Sequence, residues 1–233
     1  MRIAFTVSFV GLGAASVAMG AVLPPDLDGF RIDIGYEGGG WSTALDPSAI
    51  TGVTPDPQKP GRYEIVGAKA NGAFDSWWEM DVDIDPFVTS SFNIVNITNA
   101  PQSFTITVTL PIVPQLPVTS AIGSISGSLL DSDDSGFSQI VNDGAFALYE
   151  AMIDGVTVEE MYSSPFDFNT NLPTANLPTQ TFGPQLEAGA NATIAIRNTF
   201  VLSPGDTFQA VSYFFINAIP APGSLTIFAG AGV

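Results

Sequence analysis

The clearest signal in the chain is a two-residue alternation of apolar and polar side chains. In Phe104-Thr105-Ile106-Thr107-Val108-Thr109-Leu110 the apolar residues take every second position and threonines fill the gaps. An extended strand sends such sets to opposite faces, so one face is buried and the other is wet. The same alternation places Phe30, Ile32, Ile34 and Tyr36 together, then Trp78, Met80, Val82 and Ile84, then Ala192, Ile194 and Ile196 continuing to Phe200 and Leu202. A last strand is expected over residues 208–216. No long stretch after the N-terminal segment repeats apolar residues with helical spacing.

Turn chemistry fits this pattern. Asp154-Gly155, between Met152-Ile153 and Val156-Thr157-Val158, is a two-residue hairpin signal, since both central residues of such a turn need positive φ. Asn99-Ala100-Pro101-Gln102 and Ser203-Pro204-Gly205-Asp206 are expected to be turns of the same kind. Residues 51–61, rich in proline, and 166–184, rich in proline, asparagine and threonine, read as long surface loops. Short-spaced strands without bridging helices predict an all-β fold, an antiparallel β-sandwich of jelly-roll-like form.

At 233 residues, with 45% apolar and 12% charged, the chain is long and apolar enough for one well-filled core. Six basic residues face 23 acidic ones for a net charge of −17, which excludes nucleic acid as a partner and favours divalent cations. The chain opens with Arg2, an apolar run over residues 3–17 and small residues at Ala18, Gly20 and Ala21. That order is a signal peptide's, so residues 1–20 are expected to be removed on export. The chain has no cysteine, so an exported domain of this kind must be stabilised by packing, which favours a bacterial source. The sequons at Asn96 and Asn191 then read as chance.

Neither histidine nor cysteine is present. This removes Ser-His-Asp and Cys-His nucleophile systems and the usual zinc sites. Acid–base chemistry could rest only on carboxylates, with Glu79, Glu150, Glu159, Glu160 and Glu187 as the material for a glycosidase. Asp131-Ser132-Asp133-Asp134-Ser135-Gly136 carries oxygens at positions one, three and five and glycine at six, the front half of a Ca²⁺ loop. Position twelve is Asn142 instead of a bidentate Glu, and a solvated acidic turn is the competing reading. If an ion binds, Asp131, Asp133 and Ser135 are the expected side-chain ligands, with the Phe137 carbonyl beside them. No cofactor is required otherwise.

Alternation along residues 77–85 groups Trp77, Glu79, Asp81, Asp83 and Asp85 opposite the apolar set. An acidic row is ordinarily a solvent face, but a tryptophan beside carboxylates can stack on a sugar ring while the acids accept hydroxyl hydrogen bonds. Trp77, Glu79, Asp81 and Asp83 are therefore the candidate ligand-binding residues, with cover by a proline-rich loop as the alternative. Trp41 and Tyr149 read as core or rim aromatics.

Several segments together resemble exported bacterial proteins that end in a PEP-CTERM sorting signal. They are Asp85-Pro86-Phe87-Val88 through Phe104-Thr105-Ile106 to Leu110-Pro111, the small-residue strand at 122–129, Ile153-Asp154-Gly155-Val156, and Ser203-Pro204-Gly205-Asp206. In the tail at 218–233, Ile219-Pro220-Ala221-Pro222-Gly223-Ser224-Leu225 resembles the signal's proline triplet and the start of its apolar span, with Ala221 where the motif has Glu. No basic cluster follows in the sequence given. Two accounts stay open: a last buried strand, or a chain that continues through more apolar residues into Arg or Lys. The resemblance implies a secreted or extracellular protein, transiently membrane-anchored and handled by envelope sorting and processing machinery if the tail is complete, in bacteria that make exopolysaccharide.

The function expected is that of a non-enzymatic exported cell-surface or extracellular-matrix protein associated with exopolysaccharide or the outer envelope. The alternatives are a carbohydrate-binding module that stacks sugar on Trp77 and a carboxylate-dependent glycosidase. Residues 21–217 are expected to form the sandwich.

Overall fold

The computed structural model describes residues 22–144 and 146–219. The signal-peptide reading and nearly all of the sorting tail lie outside the described residues. In chain order the strands are β1 (Arg31–Tyr36), β2 (Gly39–Ser42), β3 (Ile50–Pro55), β4 (Arg62–Ala70), β5 (Phe74–Asp83), β6 (Phe87–Asn96), β7 (Gln102–Pro111), β8 (Leu116–Leu130), β9 (Ser138–Val141), β10 (Tyr149–Ile153), β11 (Val156–Met161), β12 (Asp167–Thr170), β13 (Thr174–Ala190), β14 (Thr193–Leu202) and β15 (Thr207–Ala218). They build an all-β sandwich of two antiparallel sheets. The first runs β11-β10-β14-β7-β1-β2, with β9 joining the end of β14 and β12 pairing β9; the second runs β13-β8-β15-β6-β5-β4-β3.

The alternating segments do what their pattern requires. Phe104, Ile106, Val108 and Leu110 of β7 and Ile194, Ile196, Phe200 and Leu202 of β14 are buried against Phe74, Trp78, Met80 and Val82 of β5 and Phe208, Phe214 and Ile216 of β15. Each such side chain withdrawn from water is worth about 1.5–3 kcal/mol. Aromatic rings tie the layers: Phe200 of the first sheet stacks on Phe92 of the second at 6.3 Å and meets Phe208 edge-on at 4.9 Å. Tyr149 is fully buried and its hydroxyl donates to the Tyr213 carbonyl at 2.9 Å. Gly123 of β8 makes room for it, since a Cβ there would lie 2.3 Å from the Phe182 ring and 2.7 Å from the Tyr149 hydroxyl.

Asp154 and Gly155 take φ of 50° and 79° and close the β10–β11 hairpin as expected. The other two turns are not hairpins. Residues 97–101 carry the chain from β6 in the second sheet to β7 in the first, and residues 203–206 carry it back from β14 to β15. Buried Asn96 fastens both corners: its Nδ2 donates to the Ala100 carbonyl at 2.8 Å and to the Leu202 and Ser203 carbonyls at 3.0 Å. That side chain is committed to the protein's own backbone, which explains the first sequon without glycosylation.

The two proline-rich stretches are strands in large part, which corrects their reading as loops. Residues 50–55 form the edge strand β3, and only 56–61 make the turn to β4. Residues 174–190 form β13, the other edge of the same sheet, paired along β8. Proline lacks the N–H that a central strand must donate, but an edge strand tolerates it at a bulge. Register shifts fall between Leu177 and Gln180, around Pro178, and between Phe182 and Gln185, around Pro184. Leu177, Phe182 and Ala190 still point inward and anchor the strand.

Candidate functional site

The second sheet presents its outer face to solvent, and the register of its strands decides what lies side by side there. Trp77 on β5 faces Asn93 on β6, Asn93 faces Gln209 on β15, Gln209 faces Ser128 on β8, and Ser128 faces Asn176 on β13. An indole, two amides, a hydroxyl and a further amide thus form one row across five strands, about 4.8 Å apart from strand to strand. Trp77 keeps 48% of its surface exposed, and Gln209 and Asn176 are exposed as well. Ser128 Oγ donates to Gln209 Oε1 at 3.2 Å, which orients that amide.

The acidic residues beside Trp77 are not equivalent. Glu79 is exposed. Asp81 is half-buried and receives the Arg62 guanidinium, Nε donating to Oδ1 at 2.7 Å and Nη2 to Oδ2. Asp83, expected in the open row, is only 1% exposed and lies 2.5 Å from Lys59 Nζ. The turn after β3 supplies Lys59, and Arg62 opens β4, so the proline-rich segment covers the far end of the row and leaves Trp77 open. Glu79 and Asp81 line a hollow of about 310 Å³ with Pro55, Asp56, Arg62 and Glu64. Alternation marks Trp77, but Asn93, Gln209, Ser128 and Asn176 come from distant strands and carry no local signal.

Glu150, Glu159 and Glu187 lie on other strands, β10, β11 and β13. Glu150 is 3% exposed and takes both Nε and Nη2 of Arg197 at 2.6 Å. Glu159 and Glu187 are brought to one amide, Gln185 Nε2 donating to Glu159 Oε2 at 3.0 Å and to Glu187 Oε1 at 2.9 Å.

The aspartate loop after β8 is shaped largely by its own amides. Ser135 N donates to Asp131 Oδ1 at 3.0 Å and to Asp133 Oδ1 at 2.9 Å, and Gly136 N donates to Asp131 Oδ2 at 2.7 Å. Hydrogen bonding to Ser135 holds the Asp133 carboxyl below its ordinary pKa. Ser135 Oγ donates to the Phe137 carbonyl at 3.0 Å, so these two expected ligands engage each other. Asp131 and Asp133 do come together, and the third member of their group is Asp206, one carboxylate oxygen from each lying within 4.8 Å of the others. β8 and β15 are paired as far as Leu130 and Thr207, so the next residue on each strand, Asp131 and Asp206, meets its counterpart just past the ladder's end. Comparison with known proteins gives no matching family and no similar curated protein.

Proposed function

We propose that the chain is a non-enzymatic exported protein of the cell surface or extracellular matrix that associates with exopolysaccharide through the outer face of its second sheet. The observation that carries this reading is the exposed Trp77 at the head of a row of amide and hydroxyl groups. An aromatic platform followed by evenly spaced donors and acceptors suits an extended glycan, whose rings offer apolar faces to stack and hydroxyls to bond. Export rests on the N-terminal pattern and the tail's likeness to a sorting signal. No helix among the described residues is long and apolar enough to cross a membrane.

A non-catalytic role is supported by the pairing of Asp81 with Arg62, Asp83 with Lys59 and Glu150 with Arg197, which engages these carboxylates within the fold. A glycan array probed with the full chain is the test. Saturable binding to an extended polysaccharide is expected, with a roughly five- to thirtyfold loss in Trp77→Ala at an unchanged fold; one stacked aromatic contributes on the order of 1–2 kcal/mol. Equal binding by Trp77→Ala would remove the face from consideration. Release of reducing ends from a bound glycan would replace this reading with a glycosidase, for which Glu159 and Glu187 are the first residues to substitute.

A further inference from the structure

Asp206 is 0% exposed, and its Oδ1 has no hydrogen-bond partner among the described residues. A buried carboxylate oxygen left bare is costly unless something positive or hydrogen-donating meets it. Its other oxygen accepts from Ser203 Oγ, within the corner between β14 and β15. The group closest in chemistry is no help, because Asp131 and Asp133 are also acids. Asp133 is pressed against the same corner, where a Cβ on Gly205 would lie 2.6 Å from Asp133 Oδ2. Ser132 Oγ and Thr207 Oγ1 are 2.6 Å apart and join loop and strand beside it.

We propose that Asp131, Asp133 and Asp206 form a Ca²⁺ site that clamps the loop after β8 onto the corner between β14 and β15. Three carboxylates from two chain segments give the hard oxygen donors this ion takes, and its flexible coordination lets water complete the shell. Asp131 can serve although both its oxygens accept amide protons, because each carboxylate oxygen has a second lone pair. Asp133 sets a second negative charge beside buried Asp206. A divalent ion between the two acids cancels the repulsion and gives the bare oxygen a partner. The composition supports the choice of ligand, since a net charge of −17 draws divalent cations toward the surface.

The full chain, stripped with chelator, is titrated with CaCl₂ by calorimetry, and its melting is followed in parallel. One saturable Ca²⁺ per chain is expected, with a melting temperature about 5–10 °C higher at a hundredfold excess over Kd. Magnesium at the same concentration is expected to do less, as it demands a tighter octahedral shell. Asp206→Asn keeps the shape of the side chain and removes its charge. It should lose the binding event while its metal-free form melts at or above the metal-free wild type, which shows that the variant folds. Absence of saturable binding in the wild type would overturn the site. So would undiminished binding in Asp206→Asn.

Discussion

Two aspartates sit at opposite ends of β14 in opposite circumstances. Asp154, in the β10–β11 hairpin, reaches the turn that enters β14. Its Oδ2 accepts from Asn191 N at 2.8 Å and Asn191 Nδ2 at 3.0 Å, and its Oδ1 from Ala192 N at 2.7 Å and Thr193 N at 3.0 Å. Asp206, at the corner that leaves β14, is buried with one oxygen bare. Burial pulls the Asp154 carboxyl upward, but the amides of Thr193, Asn191 and Ala192 outweigh it, and the group ends below its ordinary pKa. Asp206 moves the other way. The difference lies in the surroundings, since one carboxylate meets a fan of N–H groups, while the other is raised chiefly by burial and then by the second acid, Asp133. A carboxylate whose lone pairs are filled by backbone is a structural brace, whereas one left open invites an ion.

The largest effect along this strand is expected at its middle, where Arg197 neutralises buried Glu150. Arg197→Ala strands that carboxylate and should cost about 3 kcal/mol in urea denaturation, the low end for breaking a buried pair because the arginine keeps some contact with water. A loss under about 1 kcal/mol would show that Glu150 is hydrated in its place. Asp154→Ala comes next, at about 1 kcal/mol, because three backbone N–H groups at an exposed turn exchange their carboxylate acceptor for water. Asp154→Asn should recover part of that loss, keeping one acceptor oxygen and a side chain that tolerates positive φ.

The smallest effect separates the two aspartates by pH. Because the folded Asp206 carboxyl lies above the unfolded value of 3.8, the native state holds an extra proton between the two values and metal-free stability falls as pH rises through that window. Asp206→Asn should therefore gain stability near neutrality and show no gain below about pH 3.8, where both states are protonated. Asp154 has the reverse sign. Its contribution is present above 3.8 and is lost as pH falls through its lower folded value, so Asp154→Asn should flatten the acid limb of the melting curve. Parallel pH profiles for the two variants would erase the contrast.

Much of the sandwich could be read from local pattern, because β7, β14 and β15 alternate cleanly and each buries one face. β13 could not, because Pro178 and Pro184 look like loop residues until an edge and two bulges are there to take them. The site residues divide in the same way. Asp131, Asp133 and Trp77 announce themselves through spacing or through an apolar ring on a polar face. Asp206 and the row beyond Trp77 belong to the site only through sheet register, which pairs residues more than a hundred positions apart, as in Asn93 with Gln209. Asp83 shows the converse, a residue that alternation places in the open and a cation from a neighbouring turn closes over.

The interrupted edge of β13 bears on how the protein behaves in a crowd. A long regular strand at the rim of a sheet would offer a row of free amides and carbonyls to the next molecule, and a densely packed matrix is where such strand-to-strand contacts seed fibres. At β13 the prolines remove donors and the two bulges throw the remaining groups out of register. On the opposite rim, β3 is short, carries a register shift of its own and ends at Pro55. Neither rim can template a regular neighbour, so the second sheet can be packed at high density with its broad face free and its growth as a fibril blocked from both sides.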